Sequence, residues 1–174
     1  MRRNTKFFVV PIAVAVVALM FGASLAGAAS VHLKNKPPVT FTDQGLSLRS
    51  SGALTGLGNG DLVIALTATG QPVATCTNPA GATQPPGQNP AEVVLTGVQS
   101  IPGSEIKNGN VSFNVSTGSP VTPVPGAPDC PNPQWTENIT DVAFSSATIT
   151  VYQPCTDTSV PIDCTVVFQQ TFTL

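Results

Sequence analysis

The C-terminal stretch decides the fold of this chain: SSATITVYQPC at 145–155 is followed by the loop TDTSVPID at 156–163 and by CTVVFQQTFTL at 164–174. Apolar and polar residues alternate along both runs, as they do in antiparallel strands with one buried face. A cysteine stands where each run meets the loop. The stretch therefore predicts a β-hairpin that is closed by a disulfide between Cys155 and Cys164.

Closing the hairpin in this way also predicts which of its residues share a face. Val151 then lies opposite Phe168, and Ala147 lies opposite Phe172. Because a shift of one residue would turn the whole apolar set to the other face, the disulfide and the alternation together select one register. The predicted core face holds Ala147, Ile149, Val151, Val166, Phe168, Phe172 and Leu174.

Short β-type runs separated by turn residues fill the chain before the hairpin. Leu62 to Thr69 places Leu62, Ile64, Leu66 and Ala68 on one face, and Val111 to Thr117 alternates as cleanly. After the first thirty residues, no window shows a helical period. Many short strands with regular turn signals are typical of a sandwich. The sequence predicts an all-β fold, an Ig-like antiparallel β-sandwich of about seven to nine strands with two disulfides.

Two Asn-Gly pairs lie between apolar runs, at 59–60 in GLGNGD and at 108–109 in IKNGNVSF. A type I′ turn needs a positive φ at both central residues, and Asn-Gly tolerates this best. We therefore expect a hairpin turn at 58–61 and a second turn at 107–110.

The N-terminus resembles a secretory signal peptide. Arg2, Arg3 and Lys6 precede the apolar run 7–21, and Ala-Gly-Ala at 26–28 supplies small residues for cleavage. We predict a signal peptide over residues 1–28; a retained membrane anchor is the alternative. Residues 29–44 are then expected to be a flexible lead-in, and residues 45–174 a single β-sandwich domain.

Four cysteines lie after the predicted signal, an even number in an oxidising compartment. Three pairings are possible for four cysteines. The pair Cys155 and Cys164 spans one hairpin loop and should form readily, which leaves Cys76 to pair with Cys130. Two disulfides predict a secreted or cell-envelope location.

The exported part keeps four basic residues against nine acidic ones, a formal charge of −5. This balance offers no basic patch, so nucleic acid and anionic membrane surfaces are not expected as partners, and no membrane insertion is expected once the signal is cleaved. His32 is the only histidine and lies in the predicted lead-in, which argues against a Ser-His-Asp or Cys-His catalytic site. No cofactor and no metal site are predicted.

Trp135 is the residue with the clearest chemical interest. It follows the proline-rich segment 118–133 and precedes two carboxylates, Glu137 and Asp141. One interpretation is a core tryptophan that packs on the Cys76–Cys130 disulfide. Another is an exposed ligand platform, with Trp135, Glu137 and Asp141 as ligand contacts. Two carboxylates about 5–10 Å apart could also serve a glycoside hydrolase.

Several motifs resemble a group of uncharacterised secreted proteins from actinobacteria and related bacteria. They are GLGNGD at 56–61, CTNPAG at 76–81, PGQNPA at 86–91, IKNGNVSF at 106–113 and CPNPQWTENITDVAFSSATITV at 130–151. The resemblance covers about residues 52–151 and implies an exported β-rich domain. It carries no known activity and no site residues.

These observations predict a non-enzymatic binding or structural module that is secreted or held at the cell envelope. Cell-wall carbohydrate or another envelope protein would be its partner. Two alternatives remain open: a small carbohydrate-active hydrolase that uses a carboxylate pair near Trp135, and a protease inhibitor that presents the closed loop 156–163.

Overall fold

The computed structural model describes residues 30–36, 38–84, 91–122, 130–156 and 164–174. These residues form nine β-strands and one 3-10 turn at Gly103–Glu105, so the all-β prediction is confirmed. The strands are β1 (His32–Leu33), β2 (Thr40–Asp43), β3 (Leu48–Thr55), β4 (Leu62–Thr77), β5 (Thr83–Gln84), β6 (Val93–Ile101), β7 (Val111–Ser116), β8 (Thr136–Tyr152) and β9 (Val166–Thr173).

The strands form two antiparallel sheets. In the four-stranded sheet, β3 pairs with β7 on one side and with both β1 and β2 on the other. In the five-stranded sheet, β4 pairs with β8 on one side and with both β5 and β6 on the other. The opposite side of β8 pairs with β9. Buried side chains from both sheets join in one core, which gives a sandwich-like arrangement.

The core follows from the period of two along the strands. On β4 every second residue from Leu62 to Cys76 is buried, and the predicted face of Leu62, Ile64, Leu66 and Ala68 is confirmed. Leu48 and Leu54 of β3 meet this face from the other sheet. Burying one such leucine or isoleucine stabilises the fold by about 1.5–3 kcal/mol, so this layer is the main apolar contribution.

The two longest strands, β4 and β8, pair along their whole length. We call this pair of strands the β4–β8 ribbon. Residues 62–69 and 146–152 form its core half, and residues 70–77 and 136–144 form its distal half. Residues 139–144 and 147–152 are two β-type runs of the sequence that are separated by Ser145 and Ser146. They form one strand because two β-bulges, at Ser145 and Thr140, keep the pairing continuous. Each bulge hydroxyl donates to a β4 carbonyl: Ser145 to Thr69 O and Thr140 to Val73 O, both over 3.2 Å.

The register predicted for the closing hairpin is confirmed over most of its length. Val151 lies opposite Phe168, and Ala147 lies opposite Phe172. The prediction is wrong for Val166, because a bulge after Val151 pairs Val166 with Tyr152 and turns it outward, where it is 52% exposed. Leu174, also predicted for the core face, is 44% exposed just beyond the end of β9.

Both predicted disulfides are confirmed. The Cys76–Cys130 bridge joins Cα atoms 5.7 Å apart, and the Cys155–Cys164 bridge joins Cα atoms 4.6 Å apart. The first ties the end of β4 to the segment that leads into β8. The second closes the β8–β9 hairpin.

The flexible lead-in predicted for residues 29–44 is corrected by two strands within it, β1 and β2, which pair with β3. Four apolar side chains of this segment pack against the core: Val31, Leu33, Val39 and Phe41. They recur at a period of two on each side of a lysine- and proline-containing interruption. Because this polar interruption breaks the alternation, the sequence pattern did not predict the strands β1 and β2.

The hairpin predicted at GLGNGD is also corrected, because β3 and β4 belong to different sheets and do not pair. The segment crosses between the sheets, and the side chain of Gln153 satisfies its backbone. Gln153 accepts from Gly58 N over 2.9 Å and donates to Gly58 O and Gly60 O over 3.0 and 2.7 Å. A single amide thus replaces the hydrogen bonds of a hairpin partner.

The second Asn-Gly turn is confirmed. Asn108 and Gly109 have φ of 51° and 72°, as a type I′ turn requires. Lys107 and Asn110 exchange two backbone hydrogen bonds of 2.9 Å across it.

The signal peptide predicted for residues 1–28 lies outside the described residues. Within the part of the chain that is described, no helix is long and apolar enough to cross a membrane.

Candidate functional site

An open cleft lies at the distal end of the β4–β8 ribbon, where the Cys76–Cys130 disulfide joins the chain. It has a volume of about 730 Å³, within the range of about 300–1,000 Å³ usual for small-molecule sites. We call it the Trp135 cleft. Its described lining consists of Thr122, Cys130, Pro131, Asn132, Pro133, Trp135, Thr136 and Glu137.

One wall of the cleft is a tight turn formed by CPNPQW at 130–135. The Asn132 side chain accepts the backbone N–H of Gln134 over 3.0 Å, and the Asn132 carbonyl accepts the N–H of Trp135 over 3.1 Å. Asparagine favours such turns because its side chain can replace a backbone acceptor. Proline on each side of Asn132 restricts the backbone further. The turn therefore sets Trp135 directly before the first residue of β8.

A second asparagine turn, CTNPAG at 76–81, lies at the end of β4. Asn78 accepts the N–H of Ala82 through its side chain over 2.8 Å, and Gly81 adopts a φ of 84° that suits glycine. The turn leads into β5, which pairs back onto Cys76 and Thr77. Because Cys76 also bonds to Cys130, the two asparagine turns are held together covalently.

Trp135 is neither a fully buried core residue nor a free surface residue. It is half-buried, and it lines the cleft together with Cys130 of the disulfide. The sequence offered a core tryptophan or a ligand platform, and the side chain combines features of both. Tryptophan joins a large apolar surface to one N–H donor, which suits a site that is partly open to solvent.

The two carboxylates predicted beside Trp135 do not converge. Glu137 lies opposite Cys76, which is on the inner face of β4, whereas Asp141 lies opposite Val73, which is 47% exposed on the outer face. The bulge at Thr140 causes this separation, because the extra residue reverses the alternation between positions 137 and 141. Glu137 belongs to the cleft, and Asp141 does not.

The geometry brings together an aromatic surface and several neutral polar groups. Thr136 and Thr122 offer hydroxyls, and Glu137 offers the one carboxylate among the described residues that line the cleft. A hydroxyl-rich ligand with one apolar face could stack on Trp135 and donate to Glu137. Sequence reasoning found Trp135 and Glu137 but missed Thr122, since only tertiary folding brings it beside β8.

The closed loop 156–163, predicted as a possible inhibitor tip, has only Thr156 among the described residues. Its base is anchored: Cys155 donates its backbone N–H to Asp61 O over 2.9 Å, and Gln153 donates its own to Thr165 O over 2.8 Å. The rest of the loop, 157–163, lies outside the described residues.

Comparison of the chain with protein-family models, curated proteins and solved structures finds no match in any of the three. The function proposed below therefore rests on the cleft, the fold and the composition of the chain.

Proposed function

We propose that this chain is an exported, non-enzymatic Ig-like module that binds a neutral carbohydrate of the cell wall in the Trp135 cleft. The observation that carries the proposal is a half-buried tryptophan in an open cleft, flanked by Thr136 and Glu137. The lining offers an aromatic surface with hydrogen-bonding groups at its edge.

The strand order supports the Ig-like part of the proposal. An Ig sandwich places strands A, B, E and D in one sheet and strands C, F and G in the other, with C′ added beside C in variable-type domains. The pairings β2–β3 and β3–β7 correspond to A–B and B–E. The pairings β6–β4, β4–β8 and β8–β9 correspond to C′–C, C–F and F–G.

The two disulfides support export, because such bonds persist in oxidising compartments outside the cytosol. The predicted signal peptide and the resemblance to secreted actinobacterial proteins agree with this location. A disulfide-stapled domain of this kind suits the extracellular space or the cell envelope.

Charge supports a neutral ligand. The exported part carries a formal charge of −5, and the cleft lining includes one carboxylate and no basic side chain among its described residues. An anionic polymer would be repelled by Glu137, whereas sugar hydroxyls can donate hydrogen bonds to it. The apolar face of a pyranose ring can pack against the indole of Trp135.

Intrinsic fluorescence tests the proposal directly, because Trp135 is the only tryptophan of the chain. The purified exported protein is titrated with soluble neutral oligosaccharides, namely glucan, mannan, galactan and arabinan fragments. We expect one of them to change the emission in a saturable way. In calorimetry, Trp135→Ala should weaken that binding at least about tenfold, which corresponds to about 1.4 kcal/mol.

Asp141→Asn is the matched control for Glu137→Gln, because the two carboxylates lie on opposite faces of β8. We expect Glu137→Gln to weaken binding and Asp141→Asn to leave it unchanged. Binding that survives Trp135→Ala would refute the cleft as the site. Release of reducing sugar that is lost in Glu137→Gln would instead favour the hydrolase alternative.

A further inference from the structure

We propose that β9 pairs with β9 of a second copy of this chain, so that two five-stranded sheets join edge to edge in a two-fold symmetric dimer. This inference is independent of the Trp135 cleft, which lies at the distal end of the ribbon.

The two sheets are linked along one side of the sandwich and open along the other. On the linked side, Asn114 donates its backbone N–H to the side chain of Gln99 over 2.8 Å, and Gly118 donates to Thr96 O over 2.9 Å. On the open side, a lateral groove of about 470 Å³ separates β9 from β1 and β2. Its apolar lining is Leu33, Pro38, Val39, Phe41, Phe168 and Phe172.

The two strand edges that border this lateral groove differ in how they are protected. The β1/β2 edge consists of strands of two and four residues, and Lys34, Lys36 and Pro38 lie between them. Short strands, lysine and proline are common devices against edge pairing. β9 has eight residues, VVFQQTFT, without charge, proline or glycine. Its outer side has no strand partner among the described residues.

The hydrogen bonds identify the backbone groups that β9 presents at this edge. Leu174 donates its N–H to Ser145 O over 3.1 Å, so this position bonds to β8. Bonded and non-bonded positions alternate along an antiparallel pair. Phe172, Gln170 and Phe168 therefore direct their backbone groups toward β8, and the backbone groups of 169 and 171 point away from the sheet.

The sequence of β9 is complementary to itself about Gln170. In FQQTF at 168–172, a phenylalanine lies two residues on each side of the central glutamine. An antiparallel pair centred on Gln170 sets 169 opposite 171 of the second copy, so the outward backbone groups meet as hydrogen-bonded pairs. It also sets Phe168 opposite Phe172 of the second copy. Aromatic side chains that face each other across two strands stabilise a sheet. Since β9 carries no charge, no like charges meet at the two-fold axis.

The second copy also fits the lateral groove. Phe168 and Phe172 are half-buried and pack at the margin of the core, and the ring centroids of Phe172 and Phe41 lie 5.0 Å apart. A strand added beside β9 would place its own two phenylalanines on this inner side. These two phenylalanines would cover the half-exposed rings of Phe168 and Phe172 in the first copy. The first copy would cover the same rings of the second, as an isologous interface requires.

Disulfide trapping tests the register. Residues 170 of the two copies would form a non-hydrogen-bonded pair with Cα atoms about 4.5 Å apart, which suits a disulfide. Gln170→Cys in the exported protein should therefore give a covalent dimer on mild oxidation, with both native disulfides intact by mass spectrometry. Gln169→Cys is the matched control, because its two copies would be too far apart to bond. Equal trapping of both variants, or of neither, would overturn the proposed pairing.

Light scattering across a concentration series measures the dimer without a covalent trap. We expect a reversible dimer in the micromolar range that Thr171→Lys shifts to monomer, because lysine on an edge strand opposes pairing. Ser112→Lys, on the exposed face of β7 at the linked side, should leave the dimer unchanged. Circular dichroism confirms that both variants fold. A protein that stays monomeric at every concentration, or that dimerises equally with Thr171→Lys, would refute the inference.

Discussion

The two halves of the β4–β8 ribbon share one hydrogen-bonded ladder but differ in what lies over them. In the core half, the inward side chains of β4 and β8 meet the four-stranded sheet and are almost completely buried. In the distal half, the turn between β2 and β3 contacts the ribbon, where Gly45 O accepts the N–H of Val142 over 3.0 Å. The Cys76–Cys130 disulfide and two asparagine turns hold the rest.

Under the proposed function, this difference separates stability from recognition. The core half depends on apolar burial, which excludes ligand as it excludes water. The distal half replaces part of that burial with a covalent bond, and so it can keep a cleft open beside Trp135. Binding sites are often found where loops extend beyond a rigid scaffold. Four variants test the interactions on which the two halves and the sheet that packs against them depend.

Removing the Cys76–Cys130 bridge should have the largest effect. The loop-closure relation for a sequence separation of 54 gives a loss of about 4 kcal/mol for Cys76→Ala with Cys130→Ala. Urea unfolding measures it, and hydrogen exchange should show the distal half losing protection before the core half. The matched control is the pair Cys155→Ala and Cys164→Ala, with a separation of 9 and an expected loss of about 2.6 kcal/mol. A larger loss in the control would contradict the role given to the distal bridge.

Leu66→Ala should be the next largest effect, and it acts in the core half. Leu66 is fully buried, and its truncation should cost about 3 kcal/mol through lost burial and the cavity left behind. Thermal and urea unfolding measure the loss, while oligosaccharide binding at the Trp135 cleft should stay unchanged below the transition. Val73→Ala, in the distal half at a half-exposed position, is the control and should change stability by less than about 0.5 kcal/mol.

Gln153→Ala should destabilise the protein by about 2 kcal/mol, because it removes three part-buried hydrogen bonds that the buried Gln153 side chain makes with the backbone of Gly58 and Gly60. The change acts where β8 leaves the core half, so unfolding should remain one cooperative transition. Gln84→Ala, at an exposed glutamine on β5, provides the comparison and should have little effect. Equal losses in the two variants would argue against the bridging role of Gln153.

Ser50→Ala should have the smallest effect and the opposite sign. Ser50 lies buried on the inner face of β3, and its hydroxyl has no hydrogen-bond partner among the described residues. Removing an unpaired buried hydroxyl should raise stability by about 1 kcal/mol. Thr117→Val is the counterpart, since the Thr117 hydroxyl accepts the N–H of Leu48 over 3.0 Å and its loss should destabilise. Differential scanning calorimetry distinguishes the two signs.

The sequence predicted the parts of the fold that depend on local alternation. Val151 opposite Phe168, the buried face of β4 and the type I′ turn at Asn108 each follow from a period of two or from the chemistry of two residues. Trp135 and Glu137 could also be selected from the sequence, because a tryptophan and a nearby carboxylate follow the proline-rich segment 118–133. Thr122 could not, because it lies thirteen residues from Trp135 along the chain and reaches the cleft only by folding.

What the sequence determined by itself was an all-β chain, its closing hairpin and its two disulfides, because these depend on neighbours in sequence or on the simplest pairing of four cysteines. Only the tertiary structure decided that GLGNGD crosses between sheets, that residues before 45 join β3, and that Glu137 and Asp141 face opposite ways. A one-residue bulge, or the choice of a strand partner, arises from packing between distant segments. Alternation along one strand carries no information about either.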